Sequence, residues 1–297
     1  DMKILLPIDG SEYSETAARY IRRLGFGPGT EVHVLHVLKD YLLPDSIDPA
    51  RDFMKAGRAG AEALLAEYAK GLADVGAVKT HIREGEPWRE IAEAADELAP
   101  DLVVLGHKGL TGIGMFLLGS VPHHVLRHVR YSVLVARELP PLDRAMRVLY
   151  CTDGSAHARH ALGFFMSLPY RDDTSVSVLS VVDMDVTSMP ERYYPDEDIS
   201  VMMAELRRHN LEHAEKAVAE GAAKLRERFR DVRERVVFGA PAPEILANAE
   251  ELQADLVVLG SKGILGLREL LLGSVSQRVV KHARCGVLVA KMPEPAQ

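Results

Sequence analysis

The sequence predicts an α/β protein built as two tandem domains, each a parallel sheet with helices on both faces. Three observations predict it. At 297 residues the chain is long for one hydrophobic core and comfortable for two. The stretch Asp101 to Ala136 returns, altered but aligned, as Asp255 to Ala290. In each half, apolar strand-like runs alternate with segments of helical spacing, the pattern of parallel strands joined by right-handed crossovers.

Lys3 to Ile8 reads as the first strand. Ser11 to Leu24 reads as the first helix, with Ala17, Ala18, Ile21 and Leu24 on one face, Asp9 or Ser11 as candidate cap and Gly25 as stop. The second strand is Glu31 to Leu38. The loop Lys39 to Pro49 precedes a long helix from about Ala50 to Val75, and the third strand is Val78 to Arg83. Gly85-Glu86-Pro87 then opens a helix to Leu98. Leu102 to Leu105 has no polar alternation, as suits a strand covered on both faces, and Ser132 to Arg137 is the last strand. Pro140-Pro141 breaks the pattern, which sets the first domain at 1–138, a linker at 139–145 and the second domain at 146–297. The series then restarts: strand Arg147 to Thr152, Asp153-Gly154-Ser155 in the place of Asp9-Gly10-Ser11, helix Ala156 to Leu168 and strand Ser175 to Val182. Before Gly239-Ala240-Pro241, the counterpart of Gly85-Glu86-Pro87, the second half carries about ten more residues. They fall in the segment Met184 to Ile199 or in the helix from Ser200 to about Arg230, as a lid, an interface or filler, of which an interface is the expected use.

Composition narrows the classes. With 47% hydrophobic and 27% charged residues the chain reads as soluble and globular, and it has no apolar run of about 18 residues to span a bilayer. A net charge of −7 gives no electrostatic footprint for nucleic acid or an anionic membrane. Cys151 and Cys285 sit in apolar surroundings where buried free thiols are expected rather than a disulfide framework. The start Asp1-Met2-Lys3 leads straight into a strand with no signal peptide in view, so a reducing cytoplasm is the expected location.

The repeated stretch carries the chemistry. Each copy ends an apolar run in Gly-x-x-Gly, continues for nine residues and reaches Gly-Ser at the start of an amphipathic segment: Gly106, Gly109, Gly119 and Ser120, then Gly260, Gly263, Gly273 and Ser274. Small residues at a strand end permit close backbone approach, and a helix start presents unpaired N–H groups that attract anions, phosphate above all. Ser120 and Ser274 are read as caps of that turn or as hydroxyls aimed at the same anion. Two other phosphate loops are absent. From Gly114 the letters imitate a P-loop, but Val121 stands where Ser or Thr belongs and no Lys precedes it; Gly112 and Gly114 form a G-x-G away from the first strand. Lys108 and Lys262 recur inside Gly-x-x-Gly, where a point charge would screen a triphosphate. His107, His123 and His124 are unrepeated in the second half, where Ser261, Ser276 and Gln277 stand, and read as surface or capping residues rather than metal ligands.

These residues resemble the universal stress protein family in its tandem form: a first strand ending Pro7-Ile8-Asp9, a second ending His36-Val37, and the glycine run in each half. The resemblance covers nearly the whole chain. It implies five-stranded parallel sheets in the order 3-2-1-4-5, a Rossmann-like fold of the adenine nucleotide alpha hydrolase kind, and ATP, ADP or AMP as ligand, with Mg²⁺ as an optional companion. It places Pro7, Ile8, Asp9 and Val37 around adenosine, Leu105, Gly106, Lys108 and Gly109 by ribose and phosphates, and Gly119, Ser120 and Val121 on the phosphates. The second site would use Thr152, Asp153, Val181, Leu259, Gly260, Lys262, Gly263, Gly273, Ser274 and Val275. Cys151 departs from the pattern by standing where Pro7 does, which puts the second adenine fit in doubt. The last strand is the family's pairing edge, implying self-association as an intrachain pseudo-dimer or a homodimer.

No His or Glu recurs in both glycine runs and no Walker acid is present, so no catalytic residue is singled out and hydrolysis, if any, is slow. The leading expectation is an ATP-binding stress-response protein. A nucleotide-dependent enzyme, adenylate-forming or ATPase, and an interaction module with vestigial loops are the alternatives.

Overall fold

The computed structural model describes residues 2–39, 48–110, 118–138, 144–183, 197–263 and 272–293. Gly112, Gly114, the prolines Pro140 and Pro141, and most of the Met184 to Ile199 segment lie outside the described residues. The chain falls into two compact units, one carried by Asp1–Leu139 and the other by Pro140–Met292.

The first unit holds β1 (Met2–Ile8), α1 (Glu12–Leu24), β2 (Thr30–Leu38), α2 (Asp48–Gly71), β3 (Ala77–Glu84), α3 (Pro87–Leu98), β4 (Leu102–Gly106), α4 (Ser120–His128) and β5 (Ser132–Ala136). β1 pairs with β2 and β4, β2 with β3, and β4 with β5, all parallel, giving the order 3-2-1-4-5. Leu102, Val103, Val104 and Leu105 are at most 3% exposed, as their unbroken apolarity requires. Each such side chain contributes about 1.5–3 kcal/mol on burial. α1 starts where Ser11 accepts from the Ser14 N–H and stops at Gly25 in the left-handed region.

The second unit repeats the plan: β6 (Arg147–Cys151), α5 (Ala156–Ser167), β7 (Ser175–Val182), α6 (Glu197–Leu225), β8 (Asp231–Phe238), α7 (Pro241–Glu251), β9 (Leu256–Gly260), α8 (Ser274–His282) and β10 (Gly286–Ala290). β6 pairs with β7 and β9, β7 with β8, and β9 with β10, again all parallel. Ser155 caps α5 through the Ala158 N–H as Ser11 caps α1. Among the described residues no helix is long and apolar enough to cross a membrane. Neither cysteine is in a disulfide; Cys151 is buried and Cys285, just outside β10, is half-buried.

Candidate functional site

In each unit the sheet order reverses between the first and fourth strands, and the carboxyl ends of those strands open the crevice where ligands settle in such folds. β1 delivers Asp9 to that crevice. Gly10, at φ +78°, turns the chain in a conformation other residues resist. Asp9 Oδ1 then accepts from the Ser11 N–H at 3.0 Å and from its hydroxyl at 2.6 Å, while Oδ2 accepts from the Leu110 N–H at 3.0 Å. The carboxylate therefore ties the start of α1 to the glycine loop; Oδ1 has both lone pairs engaged, and Oδ2 keeps a second one.

The loop's two ends are drawn together. The His107 N–H donates to the Ala136 carbonyl (3.1 Å) and the Gly119 N–H to the His107 carbonyl (2.8 Å). A Cβ on Gly119 would lie 3.1 Å from Lys108 Cα, and one on Gly109 would lie 2.6 Å from Asp9 Oδ2, so both positions need the missing side chain. Gly106 serves a different purpose: its Cβ would sit 2.6 Å from the Tyr13 carbonyl carbon, so it lets α1 pack directly on β4.

α4 begins at Gly119, whose cap position supplies no side-chain hydrogen bond. Ser120 is the first residue of the helix proper and exposed, so it does not cap the turn as its sequence suggests. The first-turn N–H groups of Ser120 and Val121 thus have no side-chain cap. α8 repeats this at Gly273, with Ser274 exposed and Val275 half-buried.

A family model for the universal stress protein family matches residues 2–137 and again 145–291. The chain belongs to that family. A universal stress protein of Mycolicibacterium smegmatis is 27% identical over 299 residues, spanning 97% of this chain and 96% of the relative. One from Methanocaldococcus jannaschii is 33% identical over 148 residues, half of this chain and 83% of its own. Among solved structures, a universal stress protein from Archaeoglobus fulgidus superposes with a TM-score of 0.63 over 97% of this chain and 98% of its own, at 24% identity, a likeness of fold.

As a tandem universal stress protein, the chain has a second crevice to set beside the first. Ser155 N–H donates to Asp153 Oδ1 at 3.0 Å, and a Cβ on Gly263 would lie 2.8 Å from Asp153 Oδ2. Gly260 gives α5 the close approach that Gly106 gives α1, its Cβ falling 2.8 Å from the His157 backbone. The Gly273 N–H donates to the Ser261 carbonyl at 2.6 Å. Thr152, in the place of Ile8, accepts from the Gly154 N–H at 3.1 Å. Lys291, just beyond β10, is buried and its ammonium is pushed down to about 7 by that burial and by Lys262.

The remaining expected residues take graded positions. Pro7, Ile8, Leu105 and Leu259 are buried, while Val37 and Val181, one residue before the ends of their strands, are half-buried. Lys108 is 7% exposed with its ammonium 5.9 Å from the Tyr13 ring centroid, so its charge faces an aromatic surface instead of open solvent. Lys262 is half-buried. His107 packs edge-on against Tyr13 (centroids 4.6 Å apart), and His124 stacks on Trp88 (5.0 Å). No group of three or more His, Cys, Asp or Glu among the described residues is placed to hold a metal.

Residue-level reading missed Tyr13 and His157, which occupy the same turn of α1 and α5 and pack on the stems of the two loops; the Ser261 hydroxyl lies 3.4 Å from His157 Nδ1. Their signal was their matching place after the two Asp-Gly-Ser turns. His36, read in the sequence only as part of the end of the second strand, has its Nδ1 2.9 Å from the Ile8 carbonyl and ties β2 to the end of β1.

Proposed function

We propose that this universal stress protein binds an adenine nucleotide, ATP first among them, in each domain, and that occupancy regulates its contacts with partners rather than driving rapid turnover. One observation carries the reading. The same chain caps α1 and α5 with serine side chains and leaves α3, α4, α7 and α8 without a side-chain cap; α3 and α7 start on proline and carry Glu90 and Glu244 in the first turn, whereas α4 and α8 have no acidic residue there and stand at the ends of two loops of matching spacing. Uncapped first-turn amides with the helix dipole behind them favour a phosphate. Asp9 and Asp153 stand across the crevice, where a carboxylate accepts from ribose hydroxyls. The residues fit a nucleotide held by backbone amides. Mg²⁺, where present, would be held by the nucleotide's own phosphates with few protein ligands.

The reading also takes the cytoplasm as the location and the last strands, β5 and β10, as the edges used in self-association. An adenylate-forming enzyme would instead show steady turnover with a defined acceptor, and an interaction module would be indifferent to nucleotide. The deciding experiment denatures protein purified without added nucleotide and chromatographs what is released. About two adenine nucleotides per chain support both sites, and Gly119→Val should remove the first. No nucleotide released, together with no uptake from millimolar ATP, refutes the proposal.

A further inference from the structure

The second domain carries a cavity at the end of its sheet opposite the glycine loop. Arg147, Ser175 and Asp231 begin β6, β7 and β8, and Leu149, Ser177 and Arg233 follow two residues later in register. Alternation along the strands puts all six on one face. With the end of α7 and the turn after it, they line a space of about 360 Å³, within the range of small-molecule sites.

The duplication explains why the space is open. In the first domain the same register sets Lys3 beside Glu31 and Leu5 beside His33. There the buried His33 ring meets His81 Nε2 at 2.8 Å through Nδ1 and the Glu31 carboxylate through Nε2, and Lys79 reaches Glu31 at 3.0 Å. In the second domain Ser175 replaces Glu31 and Ser177 replaces His33. Arg235, at the place of His81, turns instead to Asn248 (2.8 Å) and Glu251 (2.7 Å) on α7. A carboxylate and an imidazole have become two hydroxymethyl groups, and the volume they filled is left over.

The charge around that volume is selective. Arg233 is paired with Asp231 through two contacts of 3.1 Å, and Arg235 with Glu251. The Arg147 backbone N–H donates to Asp255 Oδ2 (2.8 Å), but its guanidinium donates to the neutral Gln253 amide oxygen, at 2.7 Å, and that guanidinium has no carboxylate partner among the described residues. The Ser175 and Ser177 hydroxyls have no hydrogen-bond partner among the described residues either. One uncompensated guanidinium beside two hydroxyls asks for an anion with hydrogen-bonding groups of its own.

We propose that this cavity binds a small hydroxylated carboxylate, its carboxylate on Arg147 and its hydroxyls on Ser175 and Ser177, with Leu149 and Leu252 as apolar wall. The site is independent of the nucleotide crevice. The test titrates the full chain calorimetrically with gluconate and with glucose, its uncharged counterpart, and maps backbone amide shifts. Gluconate should bind once per chain, shifting the Leu149 and Ser177 amides, with glucose at least about tenfold weaker. Arg147→Gln should lower gluconate affinity by a similar factor. Ser177→Leu fills the space and should abolish binding, and Ser177→His, which restores the first domain's filling, should do the same if the leucine variant fails to fold. No heat with millimolar gluconate, equal binding of glucose, or binding that survives filling of the cavity would overturn the proposal.

Discussion

Single side chains set the behaviour of each loop stem, and His107 offers the sharpest handle. Burial first, then the neighbouring Arg137 and Lys108 charges, push its imidazole down to about 4, and its Nδ1 is buried with no partner among the described residues. The unfolded chain takes up that proton near 6.5. Between about pH 6.5 and 4 the unfolded state therefore binds more protons than the folded one, and stability falls as the pH falls through that window. Above it the residue contributes no slope. His107→Ser, the residue the second domain uses at this position, should flatten the loss of urea stability between pH 7 and 4 relative to the parent chain. His81 and His157 are shifted the same way by burial, so a residual slope of the same sign should persist. An unchanged slope in the variant would show that His107 is protonated as easily folded as unfolded.

At the scale of elements, α1 on β4 is the contact that builds the crevice, and Gly106 is its fulcrum. Gly106→Ala puts a methyl 2.6 Å from the Tyr13 backbone, which must move, and overpacking of this kind costs about 1–3 kcal/mol. Denaturant unfolding should show that loss in the first domain; a neutral substitution would mean that the helix shifts freely. The elements themselves were largely legible in the sequence. β7 spans Ser175–Val182 as read, and α1 ends at Gly25 as read, because apolar runs and a left-handed glycine are local signals. The purpose of Gly106 was not legible, since nothing in Gly-x-x-Gly tells a glycine that admits a helix from one that admits a ligand. Nor was the cap: Gly-Ser reads as a serine cap, yet the extended backbone belongs to Gly119 and the helix begins at Ser120. The His33 to His81 contact and the space that replaces it beside Ser177 depend on the pairing of β2 with β3 and β7 with β8, which sequence periodicity does not specify.

The whole molecule is one plan used twice with different fillings. Both copies keep the strand order, the Asp-Gly-Ser turn and the uncapped fourth-strand helix, while the chemistry at the far end of the sheet has diverged from a histidine cluster to an open, arginine-marked cavity. The nucleotide reading rests on the duplicated features; within the site, Pro7 and Ile8 are replaced by Cys151 and Thr152. The central claim is that main-chain amides at the starts of α4 and α8 hold the phosphates. Amide chemical shifts of Ser120, Val121, Ser274 and Val275, followed during titration with ATP and in parallel with adenosine, test it most directly. The account predicts large shifts at all four with ATP and little change with adenosine. Four silent amides in protein saturated with ATP would contradict it.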